Sequence, residues 1–149
     1  MNLTLAAAWF ALGKLTSKQA IAAASDALDA GVYSASLGQL MSEDPEGLSA
    51  VVVFGNALEE LGIPVPSRSV ALRVVARDYA QKIVTGVLTA YEGARRIWWN
   101  VAIEPDADPS LRGFIGLASQ WEDDPAYQAG LAVDILDEAR QLLAENLDS

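Results

Sequence analysis

Gly13-Lys14-Leu15-Thr16-Ser17-Lys18-Gln19-Ala20-Ile21 decides the fold class. Glycine accepts the left-handed backbone on which helices end. Thr16 and Gln19 have the spacing of a capping box, in which side chain and backbone satisfy each other's free groups at a helix start. The stretch reads as the end of one helix and the beginning of the next. Gly86-Val87-Leu88-Thr89-Ala90-Tyr91-Glu92-Gly93-Ala94 repeats the arrangement at an offset of 73.

Further punctuation is of the same kind. Asp44-Pro45 and Asp124-Pro125 each offer an N-cap acceptor ahead of a proline suited to the first helical position. Gly13, Gly31, Gly62 and Gly86 fall where helices should stop. In the last segment Leu131, Ile135, Ala139, Leu142, Leu143 and Leu147 form one apolar stripe, with the acidic residues largely off it. These marks predict helices over 3–13, 17–30, 33–42, 45–61, 67–86, 90–103, 110–122 and 125–147. Val51-Val52-Val53-Phe54 looks strand-like but sits inside a capped span of helix length, so it is read as helical. Of 149 residues 52% are hydrophobic and 26 are alanine, a composition suited to closely packed helices. The expected fold is one all-α domain over 1–149.

The core phase follows the same offset, setting Ile21 on Ala94, Ala24 on Ile97 and Leu28 on Val101. Glu43-Asp44-Pro45 then matches Asp123-Asp124-Pro125 at an offset of 80. Past that point the match weakens, because the same offset sets Leu58 on Glu138 and one near 78 is needed to restore the stripe. The pattern reads as a duplicated four-helix unit with insertions, its halves 1–62 and 67–149 joined by the stiff Ile63-Pro64-Val65-Pro66 link. Unrelated helices reusing common caps would give a similar pattern.

Missing residue types remove whole chemistries. With no cysteine there is no disulfide, thiol nucleophile, iron–sulfur cluster or zinc finger; with no histidine there is no Ser-His-Asp triad or His-ligated metal. The apolar start 3–12 has no preceding Lys or Arg and is too short to span a bilayer, so a soluble cytoplasmic protein is expected. The net charge of −10 is segmented: −5 over residues 1–60, +4 over 61–103 and −9 over 104–149. An acidic protein is repelled by nucleic acid and anionic membranes and steers basic protein partners toward itself. A protein partner or a homo-oligomer is therefore expected, with no nucleic acid and no membrane.

The candidate interaction surface is Glu92, Arg95, Arg96, Trp99, Trp121, Glu122 and Asp123. Consecutive Trp98 and Trp99 lie about 100° apart on a helix. With Ala94, Ile97, Trp98 and Val101 inward, Trp99 falls on the flank beside Glu92, Arg95 and Arg96. Tryptophan beside arginine is the composition of an interface anchor, and equally of a seam cover with an arginine over the ring. Arg73 and Arg77 lie one turn apart with the Asp78/Lys82 pair nearby, and are read as a solvated helix face. Glu104-Pro105-Asp106-Ala107-Asp108 begins like an EF-hand loop. Pro109 and Ile115 stand where that loop needs glycine and the bidentate glutamate, so no metal and no cofactor is expected. Glu122-Asp123-Asp124 is placed just ahead of the last helix, where the amide end favours negative charge.

Tyr91-Glu92-Gly93-Ala94-Arg95-Arg96-Ile97-Trp98 followed by Phe114-Ile115-Gly116-Leu117-Ala118-Ser119-Gln120-Trp121-Glu122-Asp123 resembles segments of small uncharacterised bacterial proteins, some of them immunity-protein-like. No catalytic residue comes with the resemblance. The functional expectation is a non-enzymatic protein-binding module, of acidic inhibitor or immunity type. The alternatives are a carboxylate- and divalent-metal-dependent enzyme acting on a small phosphorylated molecule, and a self-associating structural protein.

Overall fold

A computed structural model describes residues 1–145, and among them the chain has eight α-helices and no strand. The helices are α1 (Leu3–Ala11), α2 (Ser17–Asp29), α3 (Ala35–Leu40), α4 (Ser49–Glu60), α5 (Arg68–Val84), α6 (Ala90–Ile97), α7 (Arg112–Asp123) and α8 (Gln128–Ala144). A π-helical turn, Trp98–Ala102, continues α6, and 3₁₀ turns at Pro109–Leu111 and Pro125–Tyr127 precede α7 and α8. Leu147 and the predicted end of the last helix lie outside the described residues. The all-α fold class is as expected, and Val51-Val52-Val53-Phe54 lies in α4. The chain divides into two compact units, Met1–Ala71 and Leu72–Ser149, with the division inside α5.

In the first unit the caps form as their chemistry requires. Thr16 Oγ1 accepts from the Gln19 amide at 3.1 Å and Gln19 Oε1 accepts from the Thr16 amide at 3.0 Å, completing the capping box. Asn2 and Ser34 cap α1 and α3 in the same sense. All four glycines expected to stop helices have positive φ, from 68° at Gly62 to 85° at Gly31. α2 packs on α1, α3 and α4, and α3 on α4. Ala20, Ala23, Ala24, Ala50 and Ala57 are buried, which lets the backbones approach closely around Leu37, Leu40, Phe54 and Leu58. A carboxylate ties two helices: Glu60, at the end of α4, accepts from the Ser36 amide at 2.9 Å and from the Ser36 hydroxyl at the start of α3.

Both Asp-Pro signals differ from their reading as helix starts. Asp44 Oδ1 accepts from the Glu46 amide at 2.9 Å and its carbonyl from the Gly47 amide at 3.0 Å, so Asp44-Pro45 closes a tight turn. α4 begins only at Ser49, behind an N-cap Leu48 that makes no side-chain bond. Pro125 opens a 3₁₀ turn rather than α8, and the Asp124 side chain caps neither. Glu122 and Asp123 accordingly end α7 instead of sitting on the amide end of α8.

The second unit is built from the C-terminal part of α5 and from α6 to α8, with α6 packed on both α7 and α8. Ile97, Val101, Phe114 and Ile135 fill its core. Gly93 is the point of closest approach: a Cβ there would stand 2.2 Å from Ile83 Cγ1, so only hydrogen fits between α6 and α5. Arg77 is half-buried rather than solvated. Its guanidinium donates to the carbonyls of Leu142 at 2.7 Å, Leu143 at 3.2 Å and Glu145 at 3.2 Å, satisfying the open C-terminal end of α8. The Asp78/Lys82 pair forms at 2.9 Å.

Candidate functional site

The candidate surface is organised by α6 and its π turn. Thr89 Oγ1 accepts from the Glu92 amide at 3.2 Å and starts the helix. The Glu92 carboxylate turns along the helix to Arg96 Nε at 3.0 Å and Arg95 at 3.7 Å. Two guanidiniums thus share one carboxylate, and the three side chains remain between a third and a half exposed, a regime in which ion pairs add little stability.

Beyond Ile97 the backbone passes into the π turn, with the Ile103 amide donating to the Trp98 carbonyl at 3.1 Å. Single π turns inside helices recur at functional sites. Here the turn carries the two tryptophans, whose rings stack at 4.7 Å and 17°. Ala94, Ile97 and Val101 are fully buried, whereas Trp98 is half-buried rather than a core residue. Trp99 is 52% exposed, and its ring partner is the Trp98 indole, not an arginine. Ile103, four residues on, is 51% exposed. Asn100 Nδ2 donates to the Tyr79 hydroxyl at 3.3 Å and ties the turn to α5. Burial is the main reason the Tyr79 phenol titrates above its ordinary range.

Trp121 and Glu122 join this helix through a residue outside the predicted set. Tyr91 stacks on Trp121 at 5.4 Å and 8°, and its hydroxyl donates to Glu122 at 2.9 Å. That hydrogen bond to a carboxylate, with some burial, raises the Tyr91 phenol above its usual range. Glu92, Arg95, Arg96 and Trp99 therefore share one helix, and Trp121 with Glu122 adjoins it through Tyr91. The Asp123 side chain makes no hydrogen bond or ion pair among the described residues.

A second feature lies on the α7–α8 pair. Gly113, Gly116, Leu117 and Gln120 of α7 face Asp134, Asp137, Glu138 and Gln141 of α8 across an open groove of about 570 Å³. The groove is open at Gly116, where a Cβ would meet nothing within 4 Å, whereas the Glu138 carboxylate lies over Gly113, 3.0 Å from where a Cβ would stand. Asp137 has Arg140 at 3.8 Å, both well exposed.

In chemical terms the candidate surface offers an indole, two guanidiniums, a phenol and carboxylates. Among the described residues no three acidic side chains converge to hold a metal ion, and no helix is long and apolar enough to cross a membrane. In the segment that began like an EF-hand, Asp108 Oδ1 accepts from the Ser110 amide at 3.0 Å, which holds its carboxyl below the usual range. No protein-family model matches the chain. No curated protein and no solved structure matches it.

Proposed function

We propose that the chain is a non-enzymatic protein-binding module that engages its partner through α6 and the π turn, with Trp99 as the anchor. The observation that carries this reading is Trp99 itself: a large indole half exposed, backed by Trp98 and placed one turn beyond two exposed arginines. An indole held flat against a second ring has little conformational freedom left to lose on binding, and Trp and Arg dominate interface hot spots. The chain's net charge of −10 favours encounter with a basic partner at long range, the behaviour of an acidic inhibitor or immunity-type protein.

The test separates binding from folding. Arg95→Ala with Arg96→Ala should abolish capture of a protein partner at moderate salt while shifting the melting temperature by only about 2–4 °C, since exposed pairs contribute about 0.5 kcal/mol each. A stability loss on the scale of a core mutant, or no protein captured by the wild type, contradicts the reading.

A further inference from the structure

We infer that the Trp99 anchor docks into the α7–α8 groove of a second copy of the chain. The inference rests on the binding reading above and names its partner. The two features are complementary in charge. Trp99 projects from the π turn with Arg95 and Arg96 one turn behind it, and the one carboxylate those arginines share is Glu92. The groove is open at Gly116 and lined on its α8 side by Asp134, Asp137 and Glu138, the last of which lies over Gly113 one turn earlier. Among the described residues neither Asp134 nor Glu138 has a cation at ion-pair distance. A groove of about 570 Å³ has the volume of an ordinary small-ligand site and takes one indole with a guanidinium beside it. The indole lies on Gly116 and Leu117, while the arginines meet the carboxylates at the rim, the planar pairing that guanidinium favours.

Charge along the chain follows the same division. Residues 61–103, which carry the anchor, are net +4, and residues 104–149, which carry the groove, are net −9. The total of −10 opposes self-contact at long range. At physiological salt that repulsion is screened beyond about 8 Å, whereas the groove contacts act at touching distance. Anchor and groove are different surfaces, so the contact is heterologous and propagates from copy to copy unless it closes into a ring.

Sedimentation velocity from micromolar to millimolar protein tests this with two variants. Trp99→Ala removes the anchor and keeps the groove. Gly116→Leu fills the groove and keeps the anchor, at a helical position where a Cβ meets nothing and glycine is a poor helix former, so the fold is retained. The wild type should grow beyond dimer with concentration, and each variant alone should remain monomeric, with self-affinity at least about tenfold weaker. Mixed, the two variants should form a one-to-one complex and stop there, since each supplies the surface the other lacks. A wild type that is monomeric throughout, variants that associate like the wild type, or a mixture that stays monomeric overturns the inference. Self-docking would then be lost without loss of the Trp99 surface, which fails separately if a photo-crosslinker at position 99 finds no protein at all.

Discussion

The two units open a helix from the same signal and then use it differently. In the first, Gln19 returns the Thr16 cap and α2 runs on as a regular helix whose buried face is Ala20, Ala23, Ala24 and Ala27. In the second, Thr89 Oγ1 accepts from the Glu92 amide with no side chain returning the bond, the Glu92 carboxylate goes to Arg95 and Arg96, and α6 gives way to a π turn after Ile97. The helix-end clamps differ as well. Glu60, an anion, holds the amide end of α3, and Arg77, a cation, holds the carbonyl end of α8, each matched to the helix dipole. One unit devotes its capping residues to closing helices; the other releases one to organise charge on a surface.

The sharpest way to break the comparison is at the paired positions Ala20 and Gly93, which share the offset of 73. If the units were equivalent, Gly93→Ala would stabilise α6 through helix propensity. The contact with Ile83 predicts instead a loss of about 3 kcal/mol by overpacking, read by chemical denaturation. Arg77→Met should cost about 2 kcal/mol, since it removes charge-assisted bonds to carbonyls that then lack a partner.

Thr16→Ala should cost about 1 kcal/mol and Thr89→Ala roughly half that, because only Thr16 belongs to a reciprocal box. Equal losses would remove the distinction. The clamps also differ in their response to pH. Hydrogen bonds from Ser36 hold the Glu60 carboxyl below the ordinary glutamate range. The unfolded chain therefore takes up that proton at higher pH than the folded one, and stability present above the ordinary glutamate range falls as pH drops through the depressed value. Glu60→Gln should flatten the melting-temperature profile as pH falls from the ordinary glutamate range downward, and Arg77→Met should leave its slope unchanged, since arginine stays charged throughout. The smallest effect is Tyr91→Phe, which keeps the stack on Trp121 and loses one exposed hydrogen bond, at about 0.5 kcal/mol.

Where the sequence was readable, the signal was local. Gly13 and Thr16 declare their roles within a few residues, and the stripe Leu131, Ile135, Ala139 and Leu142 is buried as its spacing requires. Asp44-Pro45 misled because an Asx turn and an N-cap use the same aspartate acceptor, and only the residues that follow decide between them. The candidate site was half legible. Helical phase put Trp99 outside with Arg95 and Arg96, since neighbours three and four apart share a face. Tyr91 was missed as the link to Trp121 and Glu122 because its hydrogen bond spans 31 residues. Arg77 looked solvated because its carbonyl partners lie 65 to 68 residues away. The groove escaped because Gly113 and Gly116 look like ordinary helix weaknesses until α8 is set opposite them.

The most direct test of the binding surface places a photo-crosslinking benzoylphenylalanine at position 99, with Val52, an exposed residue of α4, as the control site. In native cells, position 99 should give a discrete protein adduct and position 52 should not. An adduct with the chain itself, mapped to residues 113–141, supports self-docking, and one with another protein supports the binding surface alone. No adduct at 99, or the same adduct from both positions, would contradict the account.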